Sequence, residues 1–245
     1  MRADAFLEAV KALPVADLAT LVPDGGGLVV VAPHPDDESL GCGGLIAQAV
    51  REGRPVRVVI VSNGCGSHPH SKAYPHDRLR SLREAETVRA MAELGLGAEH
   101  VHFLRLPDGG VPSEGAEAEV AADKVAEIAR AAGARALFVT WRHDPHCDHT
   151  ASAAIVDLAR ARLPGIAAYA YPVWGWTLPP EREVGPAPGG FRLVVEAERA
   201  AKRRAVEAHA SQVSGLIEDD PSGFQLQPAM IDRLCGPHEW YIALG

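Results

Sequence analysis

Leu28-Val29-Val30-Val31-Ala32-Pro33-His34-Pro35-Asp36-Asp37-Glu38 is the stretch on which the fold turns. Its first part is apolar and mostly β-branched, and follows Asp24-Gly25-Gly26-Gly27, which marks it as a buried strand. An imidazole and two adjacent carboxylates then fall just past the carboxyl end of that strand, where open α/β sheets place ligand sites. With a helix starting near Asp37, His34 and Asp37 are three residues apart and aim at one point, while Asp36 projects along another line. Two groups to hold a metal and one to move a proton is the composition of a hydrolytic metal site.

A second cluster repeats the pattern. Ala136-Leu137-Phe138-Val139-Thr140-Trp141 reads as another buried strand, followed by Arg142-His143-Asp144-Pro145-His146-Cys147-Asp148-His149. The segment 150–163 has helical periodicity through Ile155, Leu158 and Ala159. His34, Asp37 and His149 together offer two imidazoles and a carboxylate with a coordination position left open, as catalytic zinc sites do. A mixed nitrogen and oxygen site also accepts iron, cobalt or nickel. Asp36 is the candidate general base. His146, one turn from His149, is the candidate general acid or oxyanion partner, with Asp148 expected to hold its ring by a hydrogen bond. Each has a plainer alternative: Asp37 or Asp148 as a helix N-cap, Asp36 as a charge at a helix N-terminus. Two such clusters in one chain, both at strand ends, favour the metal.

The 245 residues fit one α/β domain spanning 1–245, and 47% apolar content suffices for a sizeable core. Net charge is −8 with no basic block, which argues against nucleic acid. No apolar run is long enough to span a bilayer, and Asp4, Glu8 and Lys11 interrupt any secretory pattern. Cysteines 42, 65, 147 and 235 are far apart, so a disulfide framework is not expected and a cytoplasmic location is. Strands are predicted over 28–32, 56–62, 100–105 and 136–141, with extended character at 167–173 and 191–195. Helices are predicted over about 40–52, 78–94, 116–132, 149–163 and 202–213, after an N-terminal amphipathic helix through Phe6, Val10 and Leu13. The alternation implies right-handed crossovers and a Rossmann-like three-layer fold with a mostly parallel sheet. Gly41-x-Gly43-Gly44 falls too late after the strand for a dinucleotide fingerprint and reads as tight packing of the first helix.

Ala32-x-His34-Pro35-Asp36-Asp37-Glu38 with His146-x-Asp148-His149 resembles the LmbE-like, or PIG-L, family of zinc-dependent N-deacetylases, although Pro33 intervenes where that motif runs Ala-His directly. Arg83-x-x-Glu86 with Ala90 and Leu94-Gly95 is similar to that family's first long helix, and Leu106-Pro107-Asp108-Gly109 to the loop after its third strand. The resemblance spans roughly 28–163. It implies removal of an acetyl group from an N-acetylglucosaminyl compound or related amide, one Zn2+ per chain, and the roles given above to His34, Asp36, Asp37, His146, Asp148 and His149.

On the substrate side the resemblance suggests that Arg83 reaches polar groups of the substrate; the plain alternative is a surface ion pair with Glu86. Asp108 is either a turn former in Pro-Asp-Gly-Gly or, as the resemblance implies, a group binding a sugar hydroxyl. Trp174 and Trp176 flank Gly175, and Trp176 is the expected platform for a sugar face, with core packing the default for at least one. The Pro- and Gly-rich loop 178–190 is expected to shape the rim. His68, His70 and His76 in the loop 64–77 are expected to be solvated or to touch substrate rather than to hold a second metal. His143 is expected to be supporting or superficial, and Cys147 a small, partly buried residue. The expected partner is a small N-acylated amino sugar; the alternatives are an amidase for a larger sugar conjugate or glycopeptide, and a carbohydrate-binding relative without turnover.

Overall fold

In the computed structural model, which describes residues 1–245, strand β2 (Gly27–Ala32) is buried along its whole length. It pairs in parallel with β3 (Val56–Ser62) on one side and β5 (Ala134–Thr140) on the other. β4 (Val101–Leu106) extends the sheet beyond β3, and β6 (Ala167–Tyr171) beyond β5, again in parallel. β8 (His238–Ala243) runs antiparallel beside β6 and β7 (Gly190–Val194), and the short β1 (Val15–Ala16) closes the edge on β7. The full order is β1-β7-β8-β6-β5-β2-β3-β4.

Alternation along β2 divides its side chains between two cores, as a sheet covered on both faces requires. Leu28, Val30 and Ala32 join the larger core of 45 buried residues, which also takes residues of α1 (Ala3–Lys11), α2 (Leu18–Leu21), α3 (Asp37–Arg51), α4 (His76–Glu93), α7 (Arg199–Glu207) and α9 (Pro228–Leu234). Val29 and Val31 join the 18-residue core on the other face, built with α5 (Gly115–Ala131) and α6 (Cys147–Ala161). The expected three-layer α/β fold with a mostly parallel sheet is therefore observed. The glycines of α3 pack as expected: a Cβ on Gly41 would stand 2.1 Å from Tyr171 Cδ2, and one on Gly44 2.5 Å from Val195 Cβ.

Three segments depart from the sequence reading. The late helix expected over 202–213 is broken, with α7 ending at Glu207 and α8 (Ala210–Val213) following His209. β8 and α9 had no counterpart in the strand and helix pattern. The loop 178–190 packs on the N-terminus instead of forming a rim: Ala3 N–H donates to Arg182 O at 2.7 Å and Val184 N–H to Met1 O at 3.0 Å.

The position of the site follows from topology. From β2 the chain proceeds to β3 and β4 in one direction, then returns to β5 and β6 on the other side. The crevice at the carboxyl ends of β2 and β5 is thus the switch point at which such sheets bind ligands. His34 to Asp37 follow β2, and His143 to His149 follow β5.

Candidate metal centre and active site

Asp36 stands at the N-cap of α3 with φ 145° and ψ −29°, a conformation a non-glycine residue holds only when its surroundings impose it, at a cost of about 1–3 kcal/mol. Here the Asp36 N–H donates to Glu38 Oε2 at 3.0 Å. Glu38 is in turn fixed by Ser39 Oγ at 2.8 Å and His209 Nε2 at 3.0 Å, all buried. The distorted turn sends the Asp36 and Asp37 side chains apart, as their spacing predicted.

Asp37 Oδ2 lies 3.1 Å from His34 Nδ1 and 3.3 Å from His149 Nε2. Three ligands on one tetrahedral ion with bonds of about 2.0–2.1 Å would be about 3.3 Å apart. His149 Nε2 is buried and has no hydrogen-bond partner, a state costly for a polar atom unless something else binds it. The opposite nitrogen of each ring meets a carboxylate. His34 Nε2 is 3.1 Å from Asp148 Oδ2 and 3.3 Å from Asp108 Oδ1, and His149 Nδ1 is 3.0 Å from Asp144 Oδ2. Metal-binding histidines are oriented in this way, their second nitrogen held by a carboxylate. His34, Asp37 and His149 therefore fit a divalent cation. His34, His146 and His149 also bring one nitrogen each within 4.8 Å of one another, which places His146 beside the same point.

The charges are mutually adjusted. Burial opposes protonation of His149, but Asp37 and Asp144 outweigh it and hold the imidazole up at about 9. Burial likewise opposes charge on His34, and Asp108, Asp148 and Asp37 overcome it. Burial pushes Asp36 up to about 7, against the pull of Arg83 and with a push from Asp37. Asp37 lies well below the usual carboxylate range because His149 and His34 outweigh its burial. His146 is lowered by burial and by the two neighbouring imidazoles. Its Nδ1 accepts the Asp148 N–H at 3.2 Å, so the neutral ring carries its proton on Nε2.

Asp148 does not hold the His146 ring. Its carboxylate turns to His34 and accepts the Gly109 N–H at 2.7 Å and the Val111 N–H at 3.1 Å. Residues two apart at a helix start face different directions, so Asp148 serves the other histidine. The carboxylate of this cluster that the sequence reading gave no role is Asp144, 3% exposed, which also accepts the N–H groups of Val173, Trp174 and Gly175 at 2.9, 3.0 and 2.6 Å. Its only signal in sequence was its place in the histidine-rich run.

Above these groups opens a cleft of about 400 Å3, lined by His34, Asp36, Asp37, Arg83, Asp108 and His146 together with Gly66, Ser67, Pro145, Trp174, Thr177, Gln212 and Phe224. Arg83 is buried, not a surface partner of Glu86. It donates to Gly64 O at 2.8 Å and Pro35 O at 2.6 Å, with Asp36 Oδ2 3.5 Å away. Asp108 accepts the Gly66 N–H at 2.7 Å beside His34. Trp176 is not in the cleft: it packs edge to face on Trp240 and donates to Pro172 O at 3.1 Å within the core. Trp174, at the other end of the same single turn, is the tryptophan that faces the cleft. His68 is buried rather than solvated. Cys147 is exposed rather than partly buried, and His143 packs on Trp141.

The family model for PIG-L: GlcNAc-PI de-N-acetylase matches residues 29–159. A 1D-myo-inositol 2-acetamido-2-deoxy-alpha-D-glucopyranoside deacetylase of Mycolicibacterium smegmatis is 27% identical over 89% of this chain and 90% of its own. The protein of the same name from Mycobacterium sp. (strain JLS) is 33% identical over 69% of this chain, which spans 59% of that relative's length. Among solved structures, N,N'-diacetylchitobiose deacetylase from Pyrococcus horikoshii superimposes with a TM-score of 0.68 at 18% identity, over 98% of this chain and 90% of that one. With the matched segment running from β2 through most of α6, and so through both halves of the metal cluster, the chain belongs to the PIG-L family.

Proposed function

We propose that the protein is a metal-dependent hydrolase that removes an N-acetyl group from an amino-sugar substrate. The observation that carries this reading is the geometry at Asp37 Oδ2: two histidine nitrogens converge on it, and each ring is held from behind by a carboxylate. His34, Asp37 and His149 hold the cation, with zinc our assignment on the mixed imidazole and carboxylate donors. A divalent cation there supplies a Lewis acid that polarises the amide carbonyl and acidifies water.

The chain's own groups do the rest. Asp36, raised to about 7, takes the proton of the attacking water; a base poised near the working pH is the efficient choice. Arg83 beside it keeps that carboxylate oriented. His146 presents Nε2–H to the carbonyl oxygen as negative charge develops, and Asp36 passes the proton it took from water to the departing amine, which restores the carboxylate. Asp108, at the cleft wall, accepts a hydroxyl of the sugar. The cleft volume of about 400 Å3 fits a small glycoside, within the usual ~300–1,000 Å3 of small-molecule sites, better than a glycopeptide. A binding protein without turnover has no use for the strained, buried Asp36. No helix of the chain is long and apolar enough to cross a membrane, and four free cysteines suit our placement in the cytoplasm.

The test is elemental analysis beside an assay of amine release from N-acetylated sugars. His149→Ala should lose the metal. Asp36→Asn should keep it and lose about 10²–10⁴-fold in kcat. Metal content unchanged in His149→Ala, or the metal lost from Asp36→Asn, overturns the assignment.

A further inference from the structure

The late helix breaks at His209, and the break sets one imidazole beside the turn that carries Asp36. His209 has φ −80° and ψ 57°, between α7 and α8. Glu86, buried on α4, fixes the segment just beyond it, accepting the N–H of Ser211 at 2.8 Å and its Oγ–H at 2.6 Å. The His209 ring is fully buried and makes its hydrogen bonds at Nε2, which lies 3.0 Å from Glu38 Oε1 and 3.2 Å from Ser39 Oγ. Its Nδ1 has no partner.

Glu38 is the link to Asp36. Its Oε2 accepts the Asp36 N–H at 3.0 Å, and its Oε1 accepts the Ser39 Oγ–H at 2.8 Å along with His209. Ser39 is the next residue of the same helical turn, so it cannot hold Glu38 against the rest of the fold. His209 is the one hydrogen-bond partner of this carboxylate from a distant part of the chain. On the other flank Arg83, one turn before Glu86 on α4, donates to Pro35 O at 2.6 Å. Thus α4 grips Pro35 directly, and reaches the Asp36 amide through Ser211, His209 and Glu38. Replacing a buried ionic pair by apolar packing is commonly neutral in stability, so core stability does not by itself call for Glu38 and His209. Asp36, at φ 145°, does call for a constraint from its surroundings.

We infer that His209 is a positioning residue for the hydrolysis: acting through Glu38, it holds the Asp36 turn in the strained conformation that turns the Asp36 carboxylate away from Asp37 and towards the attacking water. This inference rests on the reading of Asp36 as the general base. His209 lies outside 29–159, the part matched by the family model, so the chain beyond that segment takes part in setting the reacting geometry.

The experiment compares His209→Leu, which fills the space without a donor, with His209→Gln, whose amide N–H can reach Glu38. Both are assayed beside wild type, at equal metal content, for amine release from N-acetylglucosamine and its methyl glycoside. His209→Leu should lose about 10–100-fold in kcat with KM little changed, since a misplaced base slows the chemistry without touching the sugar. His209→Gln should recover most of that loss. Glu38→Gln stands in if His209→Leu does not fold, because its single amide oxygen replaces the two that serve Asp36 and His209 separately; it should show the same loss in kcat. Wild-type kcat in the folded variant, or a loss that His209→Gln shares in full, overturns the inference. A second readout needs no turnover. Exchange of the Asp36 amide hydrogen, followed by NMR, should quicken at least about tenfold in His209→Leu relative to that of Val30 in β2, which reports global opening. A merely structural role would quicken both alike, and that result overturns the inference. If wild type releases no amine, the deacetylase reading fails, and the exchange ratio alone decides whether His209 holds the Asp36 turn.

Discussion

Asp144→Asn tests the site where a carboxylate serves fold and metal together. Asp144 accepts four hydrogen bonds: Oδ2 takes His149 Nδ1 at 3.0 Å, Val173 N–H at 2.9 Å and Trp174 N–H at 3.0 Å, and Oδ1 takes Gly175 N–H at 2.6 Å. In the variant the amide oxygen can occupy the Oδ2 position and keep three acceptors' worth of contact. Its NH2 then faces the Gly175 N–H, donor against donor. One charge-assisted bond, worth about 1.5–3 kcal/mol, is lost, and the other three weaken as the acceptor loses its charge. The expected destabilisation of the metal-free protein is about 2–4 kcal/mol, read by urea denaturation. The His149 ring also loses the anion that raises its basicity, so metal affinity should fall about 10–100-fold, read by competition with a chelator. Wild-type metal affinity in a folded variant would show that Asp144 merely anchors the turn after β6. Unchanged stability would refute the hydrogen-bond reckoning.

The two tryptophans of the turn after β6 should separate by assay. Trp176→Ala should cost about 3–5 kcal/mol of stability, while Trp174→Ala should raise KM with a much smaller change in Tm; a reversal would exchange their places in core and cleft. His209 bears on pH. Burial opposes its charge, but Glu38 raises its folded pKa above the ordinary value, so its contribution is complete below the unfolded pKa of about 6.5 and is lost as pH rises through the folded one. The stability gap between wild type and His209→Gln, both metal-free, should accordingly be widest below the unfolded pKa and shrink as the pH rises through the folded one. A gap that is flat, or grows with pH, would mean that His209 is buried neutral.

The sequence by itself determined the alternation of strands and helices, the buried β2 and β5, and the histidine and aspartate residues at their carboxyl ends. These are local matters: β-branched runs bounded by glycine, helical periodicity, and an i,i+3 spacing that aims His34 and Asp37 at one point. Tertiary structure decided which carboxylate stands behind which histidine. Asp148 turns to His34 because the loop after β4 brings the Gly109 and Val111 N–H groups to it, and Asp144 turns to His149 because the end of β6 delivers three more. It also decided that Trp174 faces the cleft while Trp176 is buried on Trp240 of β8, a strand the sequence reading did not foresee. Gln212 and Phe224 reach the cleft only because the segment after α7 folds back onto Ser67. Periodicity and motif spacing encode the direction of a side chain relative to its own element. Which elements meet it is set by sheet order and long-range packing, and there the partners of every site residue were chosen.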